Sequence, residues 1–306
     1  VGGAFNVANA LSIATGITGT LDTNGQNLTL SGAVTGAGQL VKTGAGALNI
    51  SGGGTSNPLS GDIQVQQGTL SNDNVTPNPG IQSLANMNGL ITVSSGATFN
   101  FSQGFTASPL DNALILSGAG TGGLGALNLW RNATVTGPIT LADDTTISKT
   151  FNTGTISNSI TGTNRNLTLT TIGNTQPGLL VSGAIQLGSG GVTVASAGGT
   201  SVVTLSGANS YTGDTRVQTG TLRLTGAARI DDSAAVRIDA GAVLHLDFTG
   251  TDRVGALYLD GVSMSDGTYG SLSSTADHKS AFFLGNGILR VGPENDYSAW
   301  AASQVP

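Results

Sequence analysis

Apolar and polar residues alternate along this chain in runs of three to five positions, and glycine-rich turns end the runs. Residues 27–30 read Asn-Leu-Thr-Leu, residues 47–50 read Ala-Leu-Asn-Ile, and residues 243–248 read Val-Leu-His-Leu-Asp-Phe. A period of two over so few positions predicts short β-strands, each with one buried and one solvated side. Residues 19–21, 39–41 and 62–65 are further pieces of this kind. The turns follow too closely for a long helix anywhere before the C-terminus, so an all-β chain is expected.

The runs also recur as groups. Residues 40–70 and 202–224 are two versions of one text, closing on Gly68-Thr69-Leu70 and Gly220-Thr221-Leu222. Residues 90–101 follow the first version as residues 236–248 follow the second, and Asn27-Leu28-Thr29-Leu30 returns as Asn166-Leu167-Thr168-Leu169. Recurring short strands predict a solenoid whose rungs each touch only their neighbours. At roughly 20–25 residues per rung and about 4.8 Å between strands, the chain would form a single elongated rod some 60–70 Å long. Four stretches can be marked out. Residues 1–17 are a cap or assembly strand, 18–123 a first solenoid module with a loop at 71–88, 124–291 a second module with closing strands, and 292–306 a tail or linker. Trp300 in that tail is expected to pack on a neighbouring surface. No Pro-rich or charged linker parts the two modules, so they are expected to share one core.

Composition narrows the function classes. Only 9% of the residues are charged, against roughly 25% in ordinary domains, so Thr, Ser, Asn and Gln must cover the surface. The 48 glycines supply the positive φ angles that tight corners need. A net charge of −6 with 11 scattered Lys and Arg gives no footprint for nucleic acid or anionic lipid. The absence of Cys removes disulfides and thiolate metal sites. No run approaches 18 consecutive apolar residues, so membrane insertion of this chain as a helix is not expected. Residues 1–16 lack the basic and continuous apolar regions of a secretory signal, so the signal of a secreted protein would lie outside this numbering.

Residues 40–48 (LVKTGAGAL) and 205–215 (LSGANSYTGDT), each followed by Gly-Thr-Leu, resemble the autotransporter-associated β-strand repeat. That repeat occurs in passenger regions of Gram-negative autotransporters and in large bacterial surface proteins. Residues 125–147 resemble the segment preceding the repeat, and residues 257–269 with 285–291 resemble its closing strands, so the resemblance spans most of 13–291. Its turns are Gly44, Gly46 and Gly68 in the first copy, and Gly207, Asn209, Tyr211, Gly213 and Gly220 in the second. Residues 52–60 depart from the pattern. The resemblance implies a right-handed parallel β-helix, secreted to the bacterial cell surface as a stalk, adhesin or structural element, without a catalytic set or cofactor. No translocating barrel fits in the 15 residues after Val291.

The favoured reading is therefore an extracellular structural or adhesive solenoid whose partners are further copies of itself and host or matrix glycans. Residues 1–17 are uncharged and free of Pro, an unblunted edge. Phe5, Val7, Leu11 and Ile13 at this end would meet Ile288, Leu289 and Val291 of the next molecule, giving a head-to-tail filament. The rival is a polysaccharide-active β-helix enzyme, which needs carboxylates converging from adjacent rungs. Arg216, Arg237, His245 and Asp247 are the candidates to line its groove, with His245 and Asp247 on one side of a strand and Leu244, Leu246 and Phe248 on the other. The doublets Asp143-Asp144 and Asp231-Asp232 are expected in turns, and His278 in a mobile loop with Asp277 and Lys279. Asp22, Asp143, Asp144, Asp260 and Asp266 are isolated turn acids, the candidates for a structural Ca²⁺ site. A carbohydrate-binding module would instead show exposed aromatics on successive rungs. Trp130, Tyr211, Tyr258 and Tyr269 are not clustered in sequence, and Tyr211 is expected to pack across a corner. Asn27, Asn49, Asn74, Asn100, Asn132 and Asn166 head Asn-x-Ser/Thr sequons, which a composition this rich in these residues also yields by chance.

Overall fold

A computed structural model describes residues 4–51, 59–72, 89–103, 109–172, 178–196 and 201–292. They form a β-solenoid of stacked parallel strands, and the short 3₁₀ turn Thr121–Gly123 is the only helical element among the described residues. Trp300, Asn74 and the divergent residues 52–58 lie outside the described residues. So does the expected loop from residue 73 onward, since Ser71 and Asn72 belong to strand Thr69–Asn72.

Each rung turns through three faces. On the first, Phe5, Leu28, Leu48, Leu70, Phe99, Leu127, Ile147, Leu169, Val194, Val217, Ile238 and Leu259 each stand opposite the next in register. The alternation in the sequence is thus converted into one continuous apolar column, fully buried from Leu48 to Val217. Eleven steps of about 4.8 Å make a ladder roughly 53 Å long. The step varies from 20 residues, between Leu28 and Leu48, to 29, between Leu70 and Phe99.

The second face starts with Leu11–Ile13 and Val34–Gly36 and narrows to single bridges at Leu59 and Leu110. It then widens to Thr221–Thr225 and Val243–Asp247 and ends at Phe283–Gly285. The third face runs from Thr18–Asp22 and Gln39–Thr43 through Ile63–Val65, Ile91–Val93, Leu114–Gly118 and Ile160–Gly162. Strand Ile139–Phe151 serves the third and first faces without a break, with a register shift at the corner. Asp143 and Asp144 lie on that corner inside the strand, not in the separate turn expected of them. Leu141 and Thr145 both point inward there, so three exposed residues bridge the bend without a glycine.

Polar residues ladder on the outside as apolar ones do within. Asn128 Nδ2 donates to Asn100 Oδ1 at 2.8 Å, Asn100 Nδ2 to Ser71 Oγ at 3.4 Å, and Thr150 Oγ1 to Asn128 Oδ1 at 2.8 Å. Each bond joins one rung to the next, so this outward-pointing polar column, buried at Ser71 and Asn128, is itself cross-linked.

The two ends differ. Among the described residues Phe5–Val7, Leu11–Ile13 and Thr18–Asp22 are paired on one side only, and Phe5 and Ile17 are 59% and 56% exposed. The described part of this stretch, residues 4–17, thus supplies strands of the first rung. At the other end Val262–Ser263 folds back antiparallel on Ala256–Leu259, and Gly267–Gly270 lies antiparallel to Ile288–Val291. Strand Ile288–Val291 also pairs with Thr251–Val254, so both its edges are taken, and Leu289 and Val291 are buried. The expected joint at Ile288, Leu289 and Val291 is therefore the inside of a closing sheet.

Candidate functional site

The repeat copies are placed on different faces. In the first, Ala47–Ile50 and Gly68-Thr69-Leu70 lie on the first face. In the second, the matching Val202–Leu205 and Gly220-Thr221-Leu222 lie on the second face. The motif therefore encodes strands and corners rather than one fixed side. Gly44, Gly68 and Gly220 hold positive φ at these corners. At Gly46, Gly207 and Gly213 the preceding rung passes close beneath; a Cβ on Gly46 would stand 1.9 Å from the Gln26 carbonyl oxygen. Asn209 Oδ1 accepts the Ile185 N–H at 3.1 Å. The Tyr211 ring is in the core with its hydroxyl 2.8 Å from Thr215 Oγ1, and burial pushes its pKa up to about 12.

Charge gathers on the rungs between residues 214 and 259, which hold four of the five ion pairs among the described residues. Arg216 and Arg237 are register partners on the first face, and their pairs cross: Arg216 bonds Asp239 at 2.6 Å and Arg237 bonds Asp214 at 2.8 Å. The Arg237 guanidinium also lies 4.0 Å from the centre of the Tyr258 ring. On the second face Arg223 pairs with Asp247 beside His245. The four residues expected to line one groove are therefore divided, Arg216 and Arg237 on one face, His245 and Asp247 on another. The Arg223 hydrogen bond holds the Asp247 carboxyl below the usual range, and burial lowers His245. Asp247 is thus a fixed anion and His245 a neutral imidazole near pH 7.

The remaining acids have local tasks. Asp144 accepts the Asn166 N–H at 2.8 Å, and this bond keeps its carboxyl low. Asp231 accepts the Ser233 N–H at 2.9 Å, and Asp22 that of Asn24 at 2.8 Å. Among the described residues no three His, Asp or Glu side chains are placed to share a metal ion. His278 is on the short strand His278–Lys279, paired with Gly267–Gly270 and stacked 4.7 Å from Tyr269, not in the loop expected of it. A groove of about 390 Å³ on the third face is bordered by Thr140, Thr161, Thr163 and Gln186, with Arg165 held by Asp143 at its rim. The sequon residues Asn27, Asn100 and Asn166 already bond neighbouring rungs.

Three ionisable groups that the sequence reading passed over are buried: Lys42, Lys149 and Asp252. Lys42 takes a core position between Leu21 and Val65 in register. Its ammonium donates to Thr23 Oγ1 at 3.1 Å, the carbonyls of Thr43 and Gly44 at 2.7 Å each, and the Gln67 carbonyl at 3.0 Å. One side chain thereby pins the same corner of three successive rungs, and burial pulls its pKa down to about 8. The parity with Leu40 in Leu-Val-Lys was the available signal. Asp252 is likewise buried, accepting the Ile230 N–H at 3.0 Å, and burial pushes it up to about 6.

A carboxyl whose folded pKa lies above its ordinary value holds its proton longer in the folded state. Its contribution to stability therefore falls as pH rises from about 4 to about 6 and is constant above that. Asp252→Asn should remove this slope and raise stability at pH 7 by on the order of 1–2 kcal/mol, with no gain at pH 4. Thermal melts of both proteins across that range check it; equal melting curves at pH 7 would contradict it.

A protein-family model, the passenger-associated transport repeat, matches residues 40–71 and 197–224. No curated protein and no solved structure gave a match to the chain. The ladder strands Ala47–Ile50, Thr69–Asn72, Val202–Leu205 and Thr221–Thr225 fall in the two matched segments or at their ends. Passenger-associated repeats on a β-solenoid support a passenger-like β-helix repeat protein, and the repeat family implies a secreted or surface location in a Gram-negative bacterium.

Proposed function

Starting from a passenger-like β-helix repeat protein, we propose that the chain is a section of an adhesive or structural stalk on the bacterial surface. The carrying observation is the unbroken apolar column that runs through both repeat copies beneath a sparsely charged, hydrogen-bonded exterior. Such a shaft gains length one rung at a time and exposes Thr, Ser and Asn outside the cell. Protease added to intact bacteria should digest the chain at its exposed turns. Full protection in intact cells, with digestion after lysis, would overturn the reading.

Self-association belongs to the same proposal. Among the described residues the first rung carries unpaired strand edges and exposed Phe5, Val7 and Ile17, and the opposite end is closed by antiparallel strands. In the isolated chain, two first rungs meeting end to end form a closed pair instead of the head-to-tail filament expected from sequence. Light scattering over a concentration series should show monomer passing to dimer, and Val7→Lys should remain monomeric. Filaments that lengthen with concentration, or a Val7→Lys dimer as tight as the wild type, would contradict this geometry.

A further inference from the structure

One corner of the shaft carries aromatic surface that the stack does not need. Trp130 and Phe151 are register partners on neighbouring strands of the first face, about 4.8 Å apart along the axis. In sequence they are a rung apart, so the reading of single aromatics did not join them. Trp130 is half-buried and Phe151 is 44% exposed. Arg131 leaves the strand through a left-handed backbone, φ 54°, and places its guanidinium 4.5 Å from the centre of the Trp130 ring. Its N–H donates to the Phe151 carbonyl at 2.9 Å, which fixes the corner. Ser102, the register partner of Trp130 on the preceding rung, has a buried hydroxyl with no hydrogen-bond partner among the described residues.

Charge supplies the second observation. Arg165, Arg216, Arg223, Arg237 and Arg253 each have a carboxylate partner, whereas no carboxylate among the described residues lies within ion-pair distance of Arg131. A planar cation beside exposed rings, on a chain of net charge −6, presents a local exception to the field of the whole molecule.

We propose that this corner docks an acidic saccharide. The apolar face of a pyranose ring lies on Phe151 beside Trp130, and the sugar carboxylate pairs with Arg131. The inference rests on the surface-stalk reading for the supply of such a ligand, and its chemistry is read on purified protein. Titration calorimetry with tetragalacturonate, maltotetraose and poly-L-glutamate tests it on the wild type, Arg131→Gln and Phe151→Ser. Arg131→Gln should weaken tetragalacturonate about tenfold, the worth of one charge-assisted contact, and leave maltotetraose unchanged. Phe151→Ser should weaken both sugars. No heat with tetragalacturonate, unchanged binding in Arg131→Gln, or poly-L-glutamate binding that Phe151→Ser does not affect would overturn the proposal. Any of these would leave the protease-access result on intact cells standing by itself.

Discussion

Ile147→Asp should break the shaft in the middle and leave its ends folded. Ile147 lies between Leu127 and Leu169 in the apolar column and is fully buried, so the substitution puts a carboxylate among apolar side chains, with the buried Lys149 two positions along the strand as the nearest cation on the same side. The loss of core contacts and the desolvation of the charge together cost about 3–5 kcal/mol locally. In a solenoid that loss stays with the rungs touching the lesion. Hydrogen exchange should show protection lost over residues 114–171 and kept at Leu222–Leu224 and Leu244–Leu246 on the second face. Loss of protection throughout the chain would mean a single cooperative core and contradict the rung-by-rung account.

Lys42→Met should loosen the opposite, N-terminal part. The thioether fills the space but donates nothing, so three carbonyl oxygens and the Thr23 hydroxyl lose their shared partner. Release of the desolvated charge offsets part of that loss, and the net destabilisation should be about 2–4 kcal/mol near pH 7. The sign of the pH dependence is distinctive. With the ammonium pulled down to about 8, the unfolded chain binds the proton more strongly than the folded one between about 8 and 10.5. Wild-type stability therefore rises with pH across that window, and the gap to Lys42→Met widens. Denaturant melts at pH 7 and pH 10 measure both effects; a gap that narrows toward pH 10 would mean that the ammonium is not desolvated as the structure has it.

The first and third faces were legible because their strands run three to five residues with clean alternation, as in residues 27–30, 47–50 and 62–65. The second face was legible where it widens, as in residues 243–248, but not where it shrinks to single residues at Leu59 and Leu110, too few for any period to show. Residue meetings across rungs were also hidden. A step that ranges from 20 to 29 residues does not announce that Trp130 faces Phe151 or that Arg216 and Arg237 cross to each other's acid. Lys42 and Asp252 were passed over for another reason: a charged residue at an inward parity reads as a slip in the pattern until its corner supplies hydrogen bonds. The closing strands were found, but antiparallel pairing of Gly267–Gly270 with Ile288–Val291 turned an expected free edge into a covered one.

Register is the most exacting consequence of the stacked-rung account, since a slip of one residue exchanges every inward and outward side chain. The chain has no Cys of its own, so paired substitutions report register without interference. Thr168, Thr193 and Arg216 form one outward column on three successive rungs. Adjacent members stand within the 4.4–6.8 Å Cα range of a disulfide, and alternate members, at about 9.6 Å, do not. Mild oxidation of Thr168→Cys/Thr193→Cys should close a disulfide in the folded protein, while Thr168→Cys/Arg216→Cys stays reduced. Closure of the second pair, or of neither, would contradict the stack of parallel rungs on which the account depends.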